Sequence, residues 1–186
     1  MTSLAPQRMK FTVDSYYKMA EHGLLEKDRQ VELINGDIID MSPINSKHAR
    51  IVDIVTEALI LHFSGKAIVR AQNPLSIGEK SEPEPDVLVA RFEHHRYGEN
   101  HPVPGDVLLL IEVADSSLSF DRSVKKALYA EAGIPEYWII NLVDEQVEIF
   151  LEPVDGHYQV ERVEQKSKLF TTTIQGKKIV FEQLFG

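Results

Sequence analysis

Eight residues, Val107-Leu-Leu-Leu-Ile-Glu-Val-Ala114, constrain this chain more than any other stretch. An unbroken apolar run of this length reads as a strand covered on both faces, because a half-exposed strand alternates apolar with polar residues. Glu112 interrupts it near its end, and a carboxylate stripped of water there requires a cationic partner. A second acid, Asp86, opens the preceding apolar run Val87 to Ala90, and Lys125 stands one turn into the element that follows. Two acids and a lysine so arranged are a donor set suited to a divalent metal.

Around this stretch the pattern predicts alternating helices and strands. Val13, Tyr16, Tyr17 and Ala20 recur at helical spacing between a Thr12 N-cap and a Gly23 stop. Asn35-Gly36 between two β-rich runs is the signal for a two-residue hairpin, and pairing about it places Glu32 opposite Ile39. From Asn45 or Ser46 to Gly65 a long buried helix is expected, with Ile51, Ile54, Val55, Ala58, Leu59 and Leu61 facing inward. Short strands are expected at Ala67 to Gln72 and Leu75 to Ile77, and Pro83 and Pro85 hold the approach to Asp86 extended. The polar stretch Phe92 to Asp106 reads as a loop, since its three histidines lack a ligand spacing.

Beyond the apolar run, a helix from Asp121 to about Ala132 has Val124, Ala127 and Leu128 as its buried stripe, with Lys125 beside Asp121 and Lys126 pointing away. A strand at Glu136 to Asn141, a return from Gln146 to Leu151, and further strands at Gly156 to Glu164 and Lys177 to Phe181 complete the pattern, with Phe181 to Phe185 a short helical or coiled close. The expected fold class is α/β with a mixed α+β central sheet, in one domain over residues 1–186, a length that suits one hydrophobic core.

Composition narrows the function classes. The absence of cysteine excludes disulfides and thiolate zinc sites and fits a reducing cytoplasm. Neither an apolar leader nor a membrane-length apolar run is present, so no membrane partner is expected. A formal net charge of -9 argues against a broad non-specific grip on nucleic acid. Any such grip must be confined to one basic face.

In order along the chain, 'VELINGDII' at Val31 to Ile39, 'MSPINSKHARI' at Met41 to Ile51, 'PEPDVLV' at Pro83 to Val89, 'LLLIEVADSSLSFD' at Leu108 to Asp121 and 'KKALYAEAGIPEYWIIN' at Lys125 to Asn141 resemble the Uma-type family of putative restriction endonucleases, within the PD-(D/E)XK nuclease superfamily. The resemblance implies a restriction-endonuclease-like fold and a metal-dependent endonuclease acting on DNA, expected as a homodimer, with no other protein partner implied. It implies Asp86 and Glu112 as ligands of Mg²⁺ or Mn²⁺, Glu32 as a third acid, and Lys125 as the lysine that neutralises phosphate charge or orients water. Ala114 occupies the position two residues after the second acid where the superfamily's simplest pattern has its lysine, so Lys125 corresponds to a lysine moved to the following helix.

His48 and Arg50 flank the start of the long helix, where an anion is favoured, and Ser116 and Ser117 lie in the turn after Glu112; these are candidate substrate-binding residues. For His48 the competing reading is a core or helix-cap histidine, for Glu32 an exposed strand glutamate, and for Lys125 or Arg122 a structural ion pair with Asp121. Two other functions remain open at this stage: a non-catalytic nucleic-acid-binding or regulatory module on the same fold, and a hydrolase of small phosphoesters.

Overall fold

The computed structural model describes residues 8–26, 29–166, 169–174, 176–182 and 184–185. Its centre is a six-stranded sheet in the spatial order β3 (Ala67–Ala71), β4 (Val87–Arg91), β5 (Val107–Ala114), β6 (Glu136–Asn141), β7 (Gln146–Val154) and β8 (His157–Gln165). Only β5 and β6 run parallel; every other neighbouring pair is antiparallel. Two hairpins stand apart from it: β1 (Val31–Ile34) with β2 (Asp37–Asp40), and β9 (Leu169–Ile174) with β10 (Lys177–Glu182). The mixed α+β sheet read from the sequence is the observed one.

The run Val107 to Ala114 lacks alternation because both faces of β5 are covered. Leu109, Ile111 and Val113 face a core shared with Ile51, Val55 and Leu59 of helix α2 (Ser46–Phe63) and with Ile179 and Phe181. Leu110 and Ala114 face a second core with Leu88, Tyr129 and Tyr137. Each large aliphatic side chain so buried contributes roughly 1.5–3 kcal/mol. Glu112 belongs by alternation to the second face, at a position otherwise filled by a core residue.

Parallel neighbours require a crossover, and the chain between β5 and β6 supplies it as helix. It consists of a helical turn α3 (Leu118–Phe120), a π-helical segment Asp121–Lys125, and α4 (Lys126–Glu131), stopped by Gly133 at φ 74°. Helix therefore begins at Leu118, earlier than the expected Asp121. The wider π turn also changes which side chains turn inward. Asp121, Lys125, Leu128, Tyr129 and Ala130 are buried, whereas Ala127, expected in the stripe, is exposed.

Elsewhere, Thr12 caps α1 (Val13–Glu21) in a reciprocal capping box with Ser15, and Asn45 caps α2. Leu61, expected inside α2, is 72% exposed, because the apolar run there is wider than the face that α2 presents to the sheet. Leu75 to Ile77 form no strand: Ile77 makes one isolated bridge to Ser81, and buried Leu75 donates its N–H to Pro83 O at 2.9 Å. β9 was not expected. Gln183, inside the expected close from Phe181 to Phe185, lies outside the described residues; Leu184 and Phe185 are buried against the α2 core. Among the described residues no helix is long and apolar enough to cross a membrane.

Candidate active site

Four segments bring acids and one lysine together on the second face of the sheet. In the first, the hairpin turns through Asn35 (φ 51°) and Gly36 (φ 79°), and a Cβ at Gly36 would come within 2.8 Å of the Lys10 Cβ. Glu32 pairs with Ile39 as expected. The hairpin is docked by backbone bonds from Glu82 N to Leu33 O (2.7 Å) and from Gly36 N to Lys80 O (2.7 Å). Helix α1 holds it from outside, where the Tyr16 hydroxyl donates to Val31 O at 2.8 Å and the Tyr17 hydroxyl to Glu82. Glu32 is thereby buried, at 3% exposure, rather than an exposed strand glutamate.

The second segment is the Pro83 to Asp86 approach. Its backbone donates from Glu84 N to Glu32 Oε1 at 3.2 Å, so it orients one acid while delivering another. Val87 pairs with Ile111, which sets Asp86 beside Glu112 at the end of β5. Asp86 Oδ2 accepts from Val113 N at 2.8 Å and contacts His48 Nε2 at 3.1 Å; Oδ1 receives a 3.5 Å contact from Gln72 Nε2.

At the centre, Lys125 is 1% exposed. Its Nζ lies 3.1 Å from Glu32 Oε1, 3.0 Å from Glu32 Oε2 and 3.0 Å from Glu112 Oε1. The contact with Oε2 is ionic without hydrogen-bond direction, leaving that buried oxygen without a directed donor. Tyr129, also buried, donates to Glu112 Oε1 at 2.8 Å. Asp121 accepts from Ser117 Oγ at 2.6 Å. It does not form the ion pair considered from the sequence, since Arg122 forks onto Glu148 through Nε (2.9 Å) and Nη2 (2.6 Å).

The electrostatics follow from burial. Burial raises Glu112 well above the ordinary glutamate range; Lys125 opposes this, while Asp121, Asp86 and Glu32 add to it. Burial also raises Asp121, to about 6, again against the pull of Lys125. For Lys125 burial acts downward, but Glu112, Glu32 and Asp121 more than offset it, and the ammonium is held above the ordinary lysine value. His48 behaves likewise, with burial lowering it and Asp86 raising it to a net upward shift. Glu84, half-buried beside Glu32 and Glu82, is raised by burial first and those acids second.

The result is a cleft of about 100 Å³ lined by Glu32, Asp86, Glu112, Asp121 and Lys125, with His48 and Gln72 at its wall. With Glu84 and Asp115 also in its lining, six carboxylates face one lysine, and that excess of negative oxygen suits a hard divalent cation. Among the described residues no three His, Asp or Glu side chains already form a metal-holding group. Asp86 and Glu112 are two carboxylates that could hold such a cation, since a hard divalent cation keeps several waters and needs few protein ligands.

Of the candidate substrate residues, His48 is at the cleft but bonded to Asp86, which replaces the core reading. Ser116 and Ser117 line the cleft, but Ser117 is engaged by Asp121, and Ser116 Oγ lies 3.2 Å from Ser42 Oγ. Arg50 is exposed and is not part of the cleft wall. The sequence reading omitted Tyr129, Gln72 and Glu84. Tyr129 lies four residues after Lys125, a spacing that shares a helix face and could have found it. Gln72 carried no comparable signal.

Comparisons with known proteins give the family and the fold. The family described as "Uma2: Putative restriction endonuclease" matches over residues 13–176. A solved structure titled as a putative nuclease belonging to DUF820 from Anabaena variabilis superposes with a TM-score of 0.70 at 18% identity, covering 94% of this chain and 97% of that one. At that identity the likeness is one of fold. No curated protein matches the chain.

Proposed function

The chain belongs to the Uma2 restriction-endonuclease family, and from that premise we propose that it is a metal-dependent endonuclease that hydrolyses DNA phosphodiester bonds in the cleft between the β1–β2 hairpin and the crossover helix. The observation that carries this reading is the buried set Glu32–Lys125–Glu112 beside Asp86. A structural ion pair needs one acid per base, and the surplus carboxylates raise folding cost unless they serve a cation.

Asp86 and Glu112 would hold Mg²⁺ or Mn²⁺, which when bound would polarise a phosphate oxygen and lower the pKa of a water. Asp86 is aimed by the Val113 amide and by His48. Tyr129 and Lys125 both fix Glu112 Oε1 and so set the direction of its other oxygen. Glu32 acts as the third acid and anchors the lysine. An ammonium has three donors; two reach Glu32 and Glu112, and the third is left to orient water or neutralise phosphate charge. Cutting both strands of a duplex takes two such clefts, so the working form is a homodimer.

Supercoiled-plasmid nicking with Mg²⁺ or Mn²⁺ tests the reading, run beside Asp86→Asn protein and an EDTA control. Nicking that requires metal and disappears in the variant is the expected result. No nicking, together with no metal binding by calorimetry, overturns it in favour of a non-catalytic module.

A further inference from the structure

A second cluster lies at the β3 edge of the sheet, around the loop that follows β4. Arg70 on β3 pairs with Leu88, which follows Asp86 by two residues, so Arg70 and Asp86 share a face. Two residues on, Gln72 lines the cleft and touches Asp86. That step spans about 6.6 Å along a strand, roughly two nucleotide rises of 3.4 Å along one DNA strand.

The Arg70 guanidinium is held by neutral groups. Its Nη2 donates to Asn73 Oδ1 at 3.1 Å and its Nη1 to Arg96 O at 3.5 Å, the group lies 6.0 Å from the Tyr97 ring centroid, and its buried Nε has no hydrogen-bond partner. Exposed Arg91 donates through Nε to Gly105 O at 3.2 Å, and its own carbonyl accepts from the Tyr97 hydroxyl at 2.9 Å. Among the described residues, none of Arg70, Arg91 and Arg96 has a carboxylate within ion-pair distance. The nearby acids serve the loop backbone instead: Glu93 accepts from Tyr97 N at 3.1 Å, and Asp106 from Val103 N at 3.0 Å. Arg96 and Tyr97 also adopt left-handed φ values of 53° and 58° in succession, a conformation that side chains other than glycine seldom take.

Arg91 pairs with Ala67 and so falls by alternation on the opposite face, which leaves Arg70, two residues from cleft-lining Gln72, and Arg96, whose carbonyl holds it, as arginines without acids in a chain of net charge -9. We propose that Arg70 and Arg96, held together beside Tyr97, bind the backbone phosphates of a DNA duplex whose scissile phosphate lies in the cleft. The planar fork of arginine matches phosphate oxygens in pairs. Arg70 lies over the Tyr97 ring, so that face is not free to stack a base, which favours contact with the backbone over base reading. This rests on the nuclease reading of the cleft.

The test uses fluorescence anisotropy of a labelled 20-base-pair duplex on the Asp86→Asn background, with salt titrated from 50 to 200 mM. At a slope of about 0.9 per phosphate neutralised, the double change Arg70→Gln, Arg96→Gln lowers the salt slope by about 1.8. Arg96→Glu alone, on an exposed loop, must also lower it by about one unit or more, with melting by circular dichroism confirming the fold. Lys126→Gln, which removes one charge on α4, must leave the slope in place. An unchanged slope in the arginine variants, or an equal fall in Lys126→Gln, overturns the proposal. So does the absence of duplex binding by a protein that nicks plasmid with metal. Absence of metal-dependent nicking by the wild type, measured first, instead overturns the nuclease reading and this proposal with it.

Discussion

Replacing Lys125 with methionine keeps most of the side-chain volume and removes the charge that Glu32 and Glu112 share. The ammonium is 1% exposed and within 3.1 Å of both acids, so its removal strands buried carboxylates without a counter-ion. Breaking a buried pair from one side costs about 3–5 kcal/mol. The sign of its pH dependence is specific. The folded pKa of Lys125 lies above its unfolded value, so the lysine's own contribution is fully present below the ordinary lysine pKa and constant between pH 5 and 8. In the variant, the freed Glu112 relieves the penalty by binding a proton, and its raised pKa makes stability fall as pH rises. The expected loss is therefore the full 3–5 kcal/mol at pH 8 and smaller at pH 5, by about 1.4 kcal/mol per pH unit for each proton taken up. Urea unfolding at both pH values measures it. A loss below about 1 kcal/mol that does not vary with pH would refute the view that Lys125 is the ionised partner of both acids.

Tyr129→Phe removes one of the two donors on Glu112 Oε1 and is expected to cost about 1–3 kcal/mol. Nicking should then require more metal, with the metal titration midpoint moving upward; an unmoved midpoint would reduce Tyr129 to a core aromatic. Asp121→Asn has the opposite sense of stability. Its folded pKa of about 6 exceeds the ordinary value of 3.8, so the wild type loses stability as pH rises through 6, by about 3 kcal/mol at about 1.4 kcal/mol per unit. The variant should thus melt higher than wild type above pH 7 and no higher below pH 4, and a gap that stays constant across that range would rule out this titration.

Much of the fold was legible because it is written in local signals. The Thr12 and Asn45 caps, the Asn35-Gly36 turn with its Glu32–Ile39 register, and the strand Glu136 to Asn141 each depend on a few neighbouring residues, and each is found where those residues place it. Departures arose where a longer-range fit overrode local pattern. The helix after β5 starts at Leu118 and takes a π turn, exposing Ala127 and burying Tyr129, because it must cover the sheet face that carries Glu112. Leu61 is exposed because one sheet face is narrower than the apolar width of α2.

The same division runs through the candidate site. The chain itself determined that a carboxylate sits inside a doubly covered strand, that Asp86 opens the strand beside it, and that a cation must answer them, since burial of charge leaves no alternative. Tertiary structure decided which partners answer. The parallel β5–β6 pair demands a crossover, the crossover sets Lys125 and Tyr129 over Glu112, and the docked hairpin adds Glu32 from 93 residues away. Contacts across that separation depend on how packed faces meet, which no local run of residues encodes.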